Sequence, residues 1–127
     1  MLKSLAAVLL AVGLSSAAFA QVAPYTYSIS IGTSSTQILA ANPSRKKVIF
    51  HNPNDTAKIA VCPSGPSRSN GAAITAVING AGCITILPYD RVEISGGSPS
   101  GPQQSMPSAW LGVASGGGSA LTIIEFE

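Results

Sequence analysis

Asn42-Pro43-Ser44-Arg45-Lys46-Lys47-Val48-Ile49-Phe50-His51-Asn52-Pro53-Asn54 is a short apolar strand fenced by two turns. Asn42-Pro43 and Asn52-Pro53-Asn54 are strong turn formers. Proline presets φ, and asparagine tolerates the left-handed region and bonds to its own backbone. Between them, Val48, Ile49 and Phe50 are β-branched or aromatic, which favours a pleated, half-buried strand. Alternation places Val48 and Phe50 on one face and Ile49 and His51 on the other. Arg45, Lys46 and Lys47 fall where the strand emerges into solvent. The plain expectation for this basic run is a solvated strand end that discourages edge pairing. The functional expectation is contact with a phosphate or glycan.

Outward from this stretch, the chain repeats the same grammar. Residues 25–31 alternate, with Tyr25, Tyr27, Ile29 and Ile31 on one face. Residues 36–41 make a weaker strand around Ile38 and Leu39. Residues 58–62 make another, with Ile59 and Val61 facing together, and are expected to form a hairpin with the Val48 strand. Residues 63–71 read as a mobile surface loop containing Arg68 and no apolar anchor. Residues 72–78 fit neither period and suggest a short strand or an irregular crossing. Strands follow at 83–87 and 91–94, joined by Pro88-Tyr89-Asp90. A second long polar loop covers 96–107. Strands at 109–114 and 121–126 are expected to form the last hairpin. No window after Ala20 holds a helical period with plausible caps. Short strands between glycine- and proline-rich turns point to an all-β fold, a small antiparallel β-sandwich of jelly-roll or Ig-like type. Its expected core is Ile29, Ile31, Val48, Phe50, Ile59, Val61, Ile84, Ile86, Val92, Ile94, Leu111, Val113, Leu121 and Ile123. At the last strand, Ile124 and Phe126 compete for the same face.

Residues 1–20 read as a cleavable export signal. Lys3 supplies the positive start, 5–14 the apolar run, and Ala18-Phe19-Ala20 a small-x-small cleavage site before Gln21. The apolar run is too short to span a membrane, and no later stretch is longer. Cleavage leaves 21–127, one small domain. Sparse charge with abundant glycine and serine also marks disordered chains, but the recurring apolar runs argue against disorder here. The net charge of +2 falls further once Lys3 is removed, which argues against a nucleic-acid partner.

The chemical inventory is thin. Two cysteines, Cys62 and Cys83, in an exported chain suggest a disulfide, with two semi-buried thiols as the alternative. Alternation supports the bridge. Cys62 lies opposite the Ile59–Val61 face and Cys83 opposite the Ile84–Ile86 face, so both sulfurs point away from one core on the same side. His51 is the sole histidine and would need further ligands to hold zinc. There is no Gly-x-Ser-x-Gly elbow, and the glycine-rich stretches lack the Lys-Ser/Thr of a phosphate loop. Asp90 and Glu93 are the pair to weigh for glycoside hydrolysis. Trp110 reads as a core or hairpin residue. Tyr89, in a turn, is the best candidate for an exposed aromatic.

The order of motifs carries a resemblance. Residues 42–53, then Ile59-Ala60-Val61, then 83–88, then Ala109-Trp110-Leu111-Gly112-Val113-Ala114, then 121–125 resemble a group of small all-β structural proteins of tailed phages and prophages. The resemblance covers about residues 42–125. It implies a β-sandwich that decorates or joins parts of a particle, possible assembly as a homo-oligomer, and no catalytic residues to carry over. The export signal departs from that pattern, since virion proteins assemble in the cytoplasm. The sequence therefore leads to an exported, non-enzymatic module without a cofactor, acting on a protein or glycan surface through residues such as Arg45, Lys46, Lys47, Arg68 and Tyr89. A phage particle component and a small secreted sugar-binding protein or hydrolase are the alternatives.

Overall fold

The computed structural model of the protein describes residues 23–67, 70–97 and 106–127. The export signal, Gln21, Arg68 and most of the second long loop lie outside these. The described chain is all-β. Its strands are β1 (Tyr25–Ile31), β2 (Thr36–Leu39), β3 (Lys47–His51), β4 (Ile59–Pro63), β5 (Ile84–Ile86), β6 (Arg91–Ser95), β7 (Trp110–Ala114) and β8 (Ser119–Phe126). They form two antiparallel four-stranded sheets, ordered β1-β8-β3-β6 and β2-β7-β4-β5.

The pairs nest: β1 with β8, β2 with β7, β3 with β6, β4 with β5. This is a long antiparallel hairpin rolled into a sandwich, the jelly-roll topology, and not the immunoglobulin-like order. Both expected hairpins are corrected. β3 and β4 lie in opposite sheets, and so do β7 and β8. Their short connections are arches that cross the core. The β4–β5 connection is the longest between described strands, yet it joins partners in one sheet. Turn chemistry shows that the chain reverses. It does not show whether the reversal stays in one sheet.

Alternating side chains fill the space between the sheets. Val48, Phe50, Ile59, Val61, Ile86, Leu121 and Ile123 are buried there together, each worth roughly 1.5–3 kcal/mol. Ile38 and Leu39 are consecutive yet both buried, because the β2–β7 register shifts between Gln37 and Leu39. Trp110 packs on Phe50 with ring centroids 5.3 Å apart. Gly112, two residues on, lies against Ile38. A Cβ there would stand 2.6 Å from the Ile38 Cγ2, so this inward position takes no side chain.

With Trp110 facing inward, Leu111 and Val113 must face outward, which corrects their expected place in the core. They pack with Ala60, Cys62 and Ala76 in a second layer outside the β2-β7-β4-β5 sheet. Residues 72–83 of the long connection fold back over this face. Ala76 N donates to Ser35 Oγ, and Ile74 N to the Gly65 carbonyl. The segment is irregular apart from a single bridge, Pro66 to Ala73. The Cys62–Cys83 disulfide fastens it to β4. The loop around residues 63–71, expected to be free on the surface, is tied where it is described. Ser64 N bonds to Ala109 O and Ser67 N to Ala72 O. Ile84 is corrected too: it belongs to an edge strand and is exposed. Ile29, Val92 and Ile94, also on edge strands, are only partly buried.

The roll gives the molecule two unlike ends. Residues 40–46 lie at one end, with the starts of β1, β3, β5 and β7 and the ends of β2, β4, β6 and β8. The connections 32–35, 52–58, 87–90 and 115–118 lie at the other.

Candidate functional site

Toward the end where β1 starts, β8 runs Leu121, Ile123, Glu125 along its inward face, and Glu125 is buried. Its partner is Arg45, which the sequence placed in solvent. Arg45 is only 1% exposed, so it is corrected from surface contact to buried clamp. Its Nε donates to Glu125 Oε2 at 2.8 Å. Nη1 donates to the Ser108 carbonyl at 2.8 Å and the Met106 carbonyl at 3.4 Å, and Nη2 to the Ala40 carbonyl at 2.6 Å. One guanidinium therefore ties the β2–β3 connection, the approach to β7 and the end of β8 together. Such a planar fork suits a buried pair better than lysine would.

Tyr27, on the inward face of β1, donates its hydroxyl to Glu125 Oε1 at 2.8 Å. Burial first, then this bond and the Glu125 charge, push the Tyr27 phenol well above the ordinary tyrosine range. Tyr27, Leu39, Ala40, Ala41, Asn42, Arg45 and Glu125 line an open cleft of about 260 Å³. Asn42 sits at its rim. Its Oδ1 accepts from Ser44 N, closing the expected Asx turn, and its Nδ2 donates to Glu127 Oε1.

At the opposite end, Asn52 is fully buried and works as a hub. Its Nδ2 donates to the carbonyls of Ala57, Ile86 and Leu87, and its Oδ1 accepts from Asn54 N and Nδ2. Its backbone N bonds to Asp90 O. The turn held this way, Leu87-Pro88-Tyr89-Asp90, closes with Asp90 N on Leu87 O. Proline at its second position and a positive φ at its third make it a type II turn, where glycine is the usual third residue. Here the third residue is Tyr89, with φ of 60° and 69% exposure. Leu87 beside it is also exposed.

The remaining sequence candidates are dispersed. Lys46 is exposed. Lys47 reaches Glu93 at 3.4 Å and lies 4.3 Å from the Phe126 ring centroid, on the outer face of its sheet. The basic run thus splits into a buried clamp, an exposed lysine and a laterally paired one. His51 lies on the same outer face, opposite Arg91 and Thr122. Asp90 Oδ1 accepts from Arg91 N, and Glu93 is paired with Lys47, so neither carboxylate lines the cleft. Among the described residues, no three of His, Cys, Asp and Glu gather to hold a metal ion, and no helix is long and apolar enough to cross a membrane. Sequence reading missed Glu125 as a site residue. Its signal was a charge at an inward position of the last strand.

No family model, curated protein or solved structure matches the chain.

Proposed function

We propose that the mature chain is an exported, non-enzymatic module that acts through surface contact. The observation that carries this reading is Tyr89. Its backbone sits in a region that disfavours side chains, and its ring stands in solvent where packing returns nothing. Strain of this kind gathers at functional positions. Tyrosine also offers a large, rigid contact area at low entropic cost. Leu87 widens the apolar patch, and Asn52 fixes the turn from within. The partner is a protein or glycan surface. Export is supported by the signal-like residues 1–20 and by the Cys62–Cys83 pairing, which suits an oxidising compartment.

A second reading, a component of a phage particle, draws support from the topology, because jelly rolls recur in viral capsid and lectin domains. One experiment separates the two. Fractionation of the host culture, with intact mass on the protein, is expected to find it in periplasm or medium, starting at Gln21 with both thiols oxidised. Binding to envelope surfaces should then fall in Tyr89→Ser. Full-length protein with free thiols, sedimenting with particles, overturns export and favours the virion reading.

A further inference from the structure

We propose that the cleft between Tyr27 of β1 and the β2–β3 connection binds a neutral sugar ring. It lies at the opposite end of the sandwich from Tyr89, so the inference goes beyond the contact reading made there.

Charge comes first. The two ionic groups of the cleft, Arg45 and Glu125, neutralise each other at 2.8 Å. An anion would have to compete with Glu125 for the guanidinium, and a cation with Arg45 for the carboxylate. The cleft therefore selects an uncharged ligand. Hydrogen-bonding capacity comes next. A carboxylate has about four acceptor positions, and Glu125 uses one on Arg45 Nε and one on Tyr27 Oη, leaving lone pairs over. The Tyr27 oxygen, having donated its proton, can accept. Asn42 Nδ2 retains a hydrogen beyond the one given to Glu127. A ligand must then offer donors and acceptors close together without charge, which is the chemistry of a polyol.

Shape narrows this further. The volume of about 260 Å³ is below that of drug-sized sites and suits one ring. Tyr27 is 37% exposed, and Tyr25 is 56% exposed two residues away on the same face of β1, directly across from Glu125. The Tyr27 ring offers aromatic surface to the C–H face of a pyranose, and Leu39, Ala40 and Ala41 add apolar lining. The floor is preorganised, since Arg45 is held by backbone carbonyls of three residues.

The test is an NMR titration of ¹⁵N-labelled, disulfide-bonded protein recovered from the host culture. The probes are glucose, galactose, mannose and N-acetylglucosamine, with glucuronate and glucosamine as charged controls. At least one neutral sugar is expected to give saturable shifts centred on Tyr27, Ala40, Ala41, Asn42 and Glu125, with a Kd of about 1–10 mM, as a single ring allows. Ala41→Trp, which fills the cleft from an exposed position, is expected to weaken this at least tenfold and leave distant resonances unchanged. Ala40→Trp provides the same test should the first variant fold poorly. Three results overturn the proposal: no saturable shift with any neutral sugar up to roughly 100 mM, stronger binding of a charged control, or shifts centred elsewhere. A protein that is exported and contacts surfaces through Tyr89 yet ignores sugars refutes this inference alone.

Discussion

Arg45 Nε and Glu125 Oε2 lie 2.8 Å apart inside the sandwich, across 80 residues of sequence. The pair sets the register of the last strand. With Glu125 inward, Leu121 and Ile123 must also face the core, and Ile124 and Phe126 must face out. A buried charge without its partner is costly, so Arg45→Met is expected to destabilise by about 3–5 kcal/mol. The double variant Arg45→Met/Glu125→Leu should cost clearly less than its two singles added, because it removes both charges. Urea melts of the cycle decide. Additive effects would mean that the two groups are not coupled.

The Cys62–Cys83 bridge spans 21 residues and fastens an irregular segment to the outside of a sheet. Reduction is expected to cost about 3 kcal/mol in the chain-entropy model. It should do so unevenly. In hydrogen exchange, amides of residues 72–83 should lose protection first, while β3 and β8 keep theirs. Equal loss across both sheets would show that the bridge supports the whole roll rather than its outer layer.

From a fully buried position, Asn52 shares its two Nδ2 hydrogens among three carbonyls and accepts from two donors. Each buried carbonyl left unbonded costs on the order of 1–3 kcal/mol. Asn52→Leu, branched alike at Cγ but bulkier and unable to bond, is therefore expected to lose several kcal/mol in a denaturant melt. It should also broaden the resonances of residues 87–90. A loss below about 1 kcal/mol would mean that the turn stands without it.

Much of the strand pattern was legible because alternation is a local property. The faces of Val48, Phe50, Ile59, Val61, Leu121 and Ile123 follow from it. So does the side shared by Cys62 and Cys83. The Asx turn at Asn42 and the hub at Asn52 were marked by Asn-Pro chemistry, though not the partners they reach. Sheet membership was not legible, because an arch and a hairpin use the same turn residues. The face of β7 was misread because Leu111 and Val113 are as apolar as core residues. They are buried by residues 72–83, whose path no period announces. Arg45 was misread because its neighbours Lys46 and Lys47 suggested one solvated run. The inward charge at Glu125 was the clue that a buried cation had to exist.

The Tyr27 phenol gives the fold an alkaline limit. Burial and the Glu125 bond favour its neutral form, whereas the unfolded chain ionises near about pH 10. Above that pH the unfolded state holds fewer protons than the folded one, so stability falls as pH rises. Below it the contribution is fully present. Thermal melts of the native protein should therefore decline between about pH 10 and 11 more steeply than those of Tyr27→Phe. Parallel curves would show that the phenol does not bond to Glu125 in solution.

Tyr89 separates backbone strain from side-chain use. Tyr89→Ala and Tyr89→Gly both delete the ring, but only glycine is at ease with a φ of 60°. The glycine variant is expected to be more stable than the alanine variant by about 1 kcal/mol. Because the ring is largely in solvent, Tyr89→Gly should also be at least as stable as the native protein. It should nevertheless lose surface binding as fully as Tyr89→Ala does. A more stable protein with weaker contact would mean that the tyrosine is kept for what it touches. Equal melting of the two variants would place residue 89 outside the left-handed region. Retained binding in both would move the contact surface away from this turn.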